Sequence, residues 1–470
     1  MSAYNSRSME HGTADGTEAR TPAPAQGTGE PARKPAPGPV EAPGTGAGHG
    51  TDHGGAARSV GEHRDAVRRL LMDRFAARPP AVRTLPLLQA RGLLTAADIR
   101  APGSLPPFDN SQMDGYAVRS ADLAARDTDA ADGGPAGTVR LAVGAPVPAG
   151  AAAPPLAPGT AVPIMTGAML PAGADAVVPV EEALPSRFVD AGGEVRLPAP
   201  VDPGRFVRAA GSDIAAGALA LPAGTRLGAA QLGLLAALGL AEVAVRTRPR
   251  VLLLTTGDEV RPPGARLGPG QIHDANTTLL AAALADAGAD VTSARILADA
   301  PDRFLQRLRA DLAREAPDLV VSSGGISKGA YEVVRLALAS EGLRFLSVAM
   351  QPGGPQGIGS VDGVPFLAFP GNPVSSLVSF EMFLRPALSA LPGGPPPRRE
   401  VRARLAAAAT SPAGRHQVRR GRYADGVVEL IGGPGSHLVH ALAGSNALVH
   451  FPADAGQVPA GTEMAVWLLE

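Results

Sequence analysis

The chain has no cysteine. Disulfides, thiolate metal sites and cysteine nucleophiles are therefore excluded. Aromatic residues make up only 3% of its 470 residues, so its cores must be built mainly from Ala, Val and Leu; at 45% hydrophobic overall there is enough apolar material for two to four domains. No stretch reaches the ~18 consecutive apolar residues of a membrane span. The start, MSAYNSRSMEHGTADGTEAR, lacks a basic-then-apolar leader pattern, and a cytoplasmic protein is expected. Neither sign of charge is in excess. With 43 basic against 44 acidic residues and a net charge of −1, there is no electrostatic case for a nucleic-acid or membrane-surface partner. Nearly every basic residue is Arg, which together with abundant Ala, Gly and Pro reads as GC-rich coding and carries little functional weight. Familiar catalytic motifs are missing too: no GxxxxGK[ST] loop (GGISKG has the wrong spacing), no GxSxG elbow, no HExxH helix, and only scattered histidines, so zinc is not expected.

What is present is organised. Residues 1–61 are rich in Gly, Ala, Pro and Thr, a composition that cannot bury enough surface to offset ordering entropy; a disordered tail is expected, with solvated histidines His11, His49 and His53. From His63, HRDAVRRLLMDRF places Val67, Leu70, Leu71 and Phe75 at helical spacing, and Pro79-Pro80 ends that helix. Residues 120–201 are short Val-rich runs between Gly and Pro, which are strand and turn signals. AAGALALPAGTRLGAAQLGLLAALGL then reads as a strand, a turn and a helix. From Pro249 strands alternate with helices: RVLLLTTGDEV, NTTLLAAALADAGA, DVTSARIL, APDRFLQRLRADLA, PDLVVSSGGIS and VPFLAFPGNPVSSLVSFEMFLRPAL. That alternation argues for a parallel sheet with crossovers. After the linker PGGPPPRRE, the remaining residues read as a compact β-domain.

In parallel sheets ligands bind beyond the carboxyl ends of the strands. Three loops belong there: Thr255–Glu259, Ser322–Gly329 and Phe369–Ser376. Each brings small residues that let backbone N–H groups approach a ligand, and the third enters a helix whose N-terminus favours an anion. One such loop is weak evidence; three on one sheet edge indicate a phosphate or oxyanion pocket. Asp258, Glu259 and Asp274 lie on or near these loops. An anion pocket lined with acids needs a cation between them, and Mg²⁺ with oxygen ligands is the natural choice. The plainer reading is that Asp258 shapes a turn and Asp274 caps the following helix, which for Asp274 taken alone is at least as good. A further segment stands apart. In PPFDNSQMDGYAVRSAD, Pro106–Asp122, two acids, Asp109 and Asp114, flank a Met-Asp-Gly turn; a simple Asx turn is the ordinary explanation.

Together PPFDNSQMDGYAVRSAD, IMTGAMLPAGADAVV, LPAGTRL, LLTTGDEV, GQIHDAN, SSGGIS, VAMQPGGPQGIG and FPGNPVSS resemble the signature segments of the molybdopterin molybdotransferases, the MoeA family, to which the E-domain of gephyrin is related. The resemblance covers residues 62 to 470. It implies a multidomain α/β plus β fold: an elongated N-terminal domain from 62–108 and 202–248, a small β-domain inserted at 109–201, a central three-layer α/β domain with a mainly parallel sheet at 249–393, and a barrel-like β-domain at 394–470. It implies insertion of molybdate into adenylylated molybdopterin with release of AMP, dependent on Mg²⁺, by a homodimer that exchanges its substrates with a molybdopterin adenylyltransferase and molybdoenzymes. Carried over by position, Asp114, Asp258 and Asp274 would be the cleft acids, with Asp114 and Thr166 reaching in from the partner chain. Asp258, Asp274 and Glu259 would face the metal. Thr256, Gly257, Gly324, Gly325, Ser327, Pro352, Pro355, Gly371, Asn372, Pro373 and Ser375 would contact substrate, and Arg420 would neutralise its charge.

The chain departs from that pattern at Ser212 and Ala330, where acids are common, and at Gln351 and Gly354, where basic residues are common; Glu332 and Lys328 stand nearby as replacements. Losing cations from a polyanion pocket weakens binding by roughly 1–3 kcal/mol for each charge-assisted bond. The retained acids favour an enzyme. The neutralised positions favour the alternative, a paralogue that carries molybdopterin or a nucleotide, or serves as a scaffold, with little turnover.

Overall fold

The computed structural model describes residues 57–124, 135–152, 154–297, 301–326 and 332–469. Most of the low-complexity stretch, together with Ser327, Lys328 and Ala330, lies outside the described residues. The fold begins earlier than composition suggests. Ser59 accepts a hydrogen bond from the Glu62 N–H (3.2 Å) and the Glu62 carboxylate accepts one from the Ser59 N–H (2.9 Å), a reciprocal cap that starts the helix Val60–Ala77. Val67, Leu71 and Phe75 lie on its buried face, where each side chain contributes roughly 1.5–3 kcal/mol. Their neighbours were not foreseen. The helix was expected to belong with the N-terminal domain, yet these residues share a core with Val251 and Leu253 of the α/β sheet and with Phe380–Leu384.

The N-terminal strands pair across a long sequence gap. Val82–Pro86 and Leu94–Thr95 flank Glu242–Arg246 in a three-stranded sheet, and Ile99–Arg100 pairs with Leu219–Leu221. The chain between them forms a five-stranded sheet containing Gly115–Val118, Thr138–Val143, Thr160–Ile164, Ala176–Pro179 and Glu194–Pro198. Tyr116, Leu141, Val178 and Leu197 fill its core.

The α/β sheet has six strands, in the order Asp290–Leu297, Arg250–Thr256, Leu319–Ser323, Val364–Phe369, Pro355–Val361, Arg344–Ser347. The first four are parallel; the last two add an antiparallel edge. The parallel strands read as nearly continuous apolar runs because helices cover both faces: Leu280 and Leu284 on one side with Val251 and Leu253, Phe304 and Leu308 on the other with Leu252 and Leu254. All four parallel strands end on the same edge, which brings the three Gly-rich loops together.

In the C-terminal region Glu400–Leu405, His416–Ala424, Val427–Leu430, Ala447–Phe451 and Glu463–Leu468 form a sheet that closes on itself through the pairing of His416–Ala424 with Ala447–Phe451. Met350–Gln351 adds to it in parallel, so the segment leaving the α/β sheet is also stitched to the barrel. Among the described residues no helix is long and apolar enough to cross a membrane.

Candidate functional site

A cavity of about 970 Å³ opens at the carboxyl edge of the parallel strands. Its walls come from the strand-end loops (Thr255–Gly257 with Glu259 and Val260, Gly324–Ile326, and Pro370–Pro373 with Ser375), from Ile272–Asn276, from Glu332, from Gln351–Gly353 with Pro355, and from Pro434–His437 with Val439 of the barrel. Close approach of backbones makes it. A Cβ on Gly324 or Gly325 would come within about 3.0 Å of Thr256 atoms, and both residues have positive φ; only glycine lets the second loop sit on the first.

The acids behave differently from one another. Asp274 is 5% exposed. Its carboxylate accepts hydrogen bonds from the Thr277 N–H (3.0 Å) and the Thr277 hydroxyl (2.5 Å), which caps the helix Asn276–Asp286 while leaving the side chain in the cavity wall. Asp274 therefore caps the helix and also lines the cavity. Thr255 extends the chain, its hydroxyl 2.7 Å from that of Thr277. Glu259 also lines the cavity, folded over Gly257, where an added Cβ would lie 2.8 Å from either carboxylate oxygen. Asp258 does not. It is exposed and absent from the lining, and its carbonyl accepts a hydrogen bond from Arg261 (2.9 Å). In an extended-to-turn transition successive side chains point apart, so Glu259 takes the wall and Asp258 points elsewhere.

Thr256, Gly257, Gly324, Gly325, Pro352, Pro355, Gly371, Asn372, Pro373 and Ser375 all line the cavity. Ser327 lies outside the described residues. Of the departures from the family pattern, Gln351 reaches the wall, as does the nearby acid Glu332, whereas Ser212 and Gly354 do not. Asn276, read from sequence only as a helix start, is a hub: its amide donates to Ser323 Oγ (2.8 Å) and the Gly371 carbonyl (2.6 Å), tying three loops together. Asn276 Oδ1 and Thr256 Oγ1 are buried without a hydrogen-bond partner among the described residues. His273 and the barrel residues Pro434–His437 also line the cavity and were missed. His273 stands in the segment GQIHDAN beside Asp274, whereas no motif announces Pro434–His437, which the barrel brings in.

Arg420 needs a correction. It was expected at the substrate, but it is 2% exposed and is not in the lining. Its guanidinium donates to the carbonyls of Gly435 (3.1 Å) and Gly433, so it supports the loop that forms the wall. Burial, followed by the neighbouring Arg419, pulls its pKa below the usual range.

Asp114 and Thr166 are also elsewhere. Asp114 precedes the strand Gly115–Val118 and accepts hydrogen bonds from the Thr166 N–H and hydroxyl, both 2.7 Å. These two bonds, the backbone one first, hold its carboxyl below the usual carboxylate range. Neither residue lines the cavity, and among the described residues nothing before Thr255 does.

Three family models match the chain in order: the MoeA N-terminal region (domains I and II) over residues 58–239, a probable molybdopterin-binding domain over 252–390, and the MoeA C-terminal region (domain IV) over 402–469. A curated relative, molybdopterin molybdenumtransferase 2 of Mycobacterium tuberculosis, is 45% identical over 424 residues, covering 87% of this chain and 99% of the relative. The chain belongs to the MoeA family. Molybdopterin molybdenumtransferase 1 of the same organism is 38% identical over 398 residues, 80% of this chain and 92% of that one. A crystal structure of a MoeA protein from Pyrococcus horikoshii superposes with a TM-score of 0.70 at 31% identity, covering 86% of this chain and 98% of that one. The segments that line the cavity fall in two of the three matched regions, the probable molybdopterin-binding domain and the MoeA C-terminal region.

Proposed function

We propose that this chain completes molybdenum cofactor synthesis, transferring molybdenum from molybdate to adenylylated molybdopterin with release of AMP. The observation that carries this reading is the cavity itself: a space at the carboxyl edge of a parallel sheet, with backbone-rich loops for an anion and three carboxylate residues, Glu259, Asp274 and Glu332, in its wall. Mg²⁺ suits this wall. Beside Asp274 and Glu259 the wall offers the unpartnered oxygens Asn276 Oδ1 and Thr256 Oγ1, and no group of three or more acidic or histidine residues able to hold a metal is present among the described residues. Mg²⁺ is commonly held by one or two carboxylates plus substrate phosphates, without a full protein cage. Once bound, the ion would neutralise phosphate charge at the bond to AMP. Asp274 would hold it, with its orientation set by Thr277; Glu259 would flank it; the loop amides near Gly324, Gly325 and Gly371 would orient the substrate's oxygens.

The remaining parts of the reading follow from the two residues that do not line the cavity. Asp114 and Thr166 would complete the site from a second copy of the chain, making a homodimer with two composite clefts. Domain divisions near 108, 201, 248 and 393 go with that arrangement, as does a cytoplasmic location, where nucleotide-activated intermediates are made. The direct test is AMP release by the purified full chain given adenylylated molybdopterin, molybdate and Mg²⁺, coupled to activation of an apo-molybdoenzyme. Release that requires both Mg²⁺ and molybdate supports the reading; tight binding of molybdopterin with no release would make the chain a carrier.

A further inference from the structure

The wall opposite the strand-end loops belongs to the barrel. The segment Gly432–Leu438 joins the strand Val427–Leu430 to the helix Val439–Ala443 and lies outside both elements. It is held from two sides. From the barrel strand His416–Ala424, Arg420 donates to the carbonyls of Gly433 and Gly435, and Arg419 donates to that of Gly432 (3.1 Å). From the α/β side, the Asn372 amide donates to Ser436 Oγ (2.8 Å) and the Val374 N–H to the Ser436 carbonyl (3.1 Å). The guanidinium of Arg420 is nearly inaccessible, and its fork spans two carbonyls two residues apart, which an ammonium cannot do in the same way. His437 lies on the exposed face of the segment and lines the cavity.

We propose that Gly433–His437 is a substrate-binding wall in which His437 presents its imidazole to the anionic substrate, and that Arg420 is the positioning residue that sets this wall in place. The identity of the substrate rests on the functional reading above; the clasp does not. Arg420 thus serves affinity through the backbone it holds, without meeting the anion.

Hydrogen–deuterium exchange on the ligand-free full chain tests the clasp without any assay of activity. In Arg420→Gln, amides of the 432–439 segment should exchange at least about tenfold faster while the barrel strands keep their protection. Arg420→Lys should not restore protection. Steady-state AMP release tests the wall: KM for adenylylated molybdopterin should rise by about tenfold in Arg420→Gln and in His437→Ala, with kcat within about twofold. The ionic-strength dependence of KM should stay as in wild type for Arg420→Gln, because its charge does not meet the substrate. Should Arg420→Gln fail to fold, Asn372→Ala removes the side-chain tether from the α/β side, leaving the Val374 N–H bond to the Ser436 carbonyl, and should loosen the same segment. Unchanged exchange in the segment, or a flattened salt dependence in Arg420→Gln, would overturn the proposal. A wild-type chain that releases no AMP sinks the functional reading instead, and the exchange result then decides the clasp by itself.

Discussion

Two acids in this molecule sit in turns of similar chemistry and different surroundings. Asp274 and Asp114 each accept a backbone N–H and a hydroxyl from a threonine, Thr277 in one case and Thr166 in the other. Asp274 is buried in the wall of a large cavity; Asp114 is half-buried on a five-stranded sheet and lines none of it. The same local device therefore orients two carboxylates, but only one of them lines the cavity. Under the proposed function, the other must reach that of a second chain.

The largest expected effect is on the cavity side. Asp274→Asn retains a good helix cap, because Asn and Asp serve about equally there, and removes the charge. Mg²⁺-dependent AMP release should fall by at least about a hundredfold with the thermal midpoint within a few degrees of wild type. Asp274→Ala should add a stability loss of about 1 kcal/mol from the missing cap, readable by denaturant melts. An Asp274→Asn protein that still releases AMP at the wild-type rate would reduce Asp274 to its capping role.

Next in size is the mixture experiment, which tests the comparison itself. Asp114→Ala and Asp274→Asn should each be inactive as homodimers. Dissociated and recombined in equal amounts, about half the dimers would carry both variants, each with one intact cleft of two, and activity should return to about a quarter of wild type. No recovery, with heterodimers demonstrated by native mass spectrometry, would mean that Asp114 acts within its own chain or only in the fold.

How far these differences were legible in the sequence depends on the range of the interaction. Short-range signals read well: the helical face Val67–Phe75, the strands that end in Gly-rich loops, and the cap at Asp274 are each written within a few neighbouring residues. Long-range placement did not. The helix Val60–Ala77 packs against Phe380–Leu384, some three hundred positions away, and an amphipathic stripe carries no address for its partner. The antiparallel edge formed by Arg344–Ser347 and Pro355–Val361 carries too little alternation among its glycines and prolines to stand out. Arg420 is placed at the substrate only by the family resemblance; what it holds is a pair of glycine carbonyls, and carbonyls are the same in every residue. Asp258 and Glu259 are adjacent acids in a turn, and which of them faces inward is decided by a backbone bend that composition does not encode.

The smallest expected effect concerns protonation at Asp114, and its sign is fixed by Thr166. The carboxyl is held below its ordinary range first by the Thr166 N–H and second by the Thr166 hydroxyl. If Asp114 works as a carboxylate, the acid limb of kcat/KM attributable to it lies below the usual carboxylate range, and activity is lost only as pH falls through that lowered value. Thr166→Val deletes the hydroxyl and leaves the backbone N–H, so the acid limb should move upward toward the ordinary range without reaching it, while the plateau near neutral pH stays close to wild type. A Thr166→Val acid limb displaced in that direction would place the Asp114 carboxylate in the rate-determining chemistry. A Thr166→Val profile that superposes on wild type would show that Asp114 does not titrate in that step, and would leave its two hydrogen bonds with the task of holding the turn.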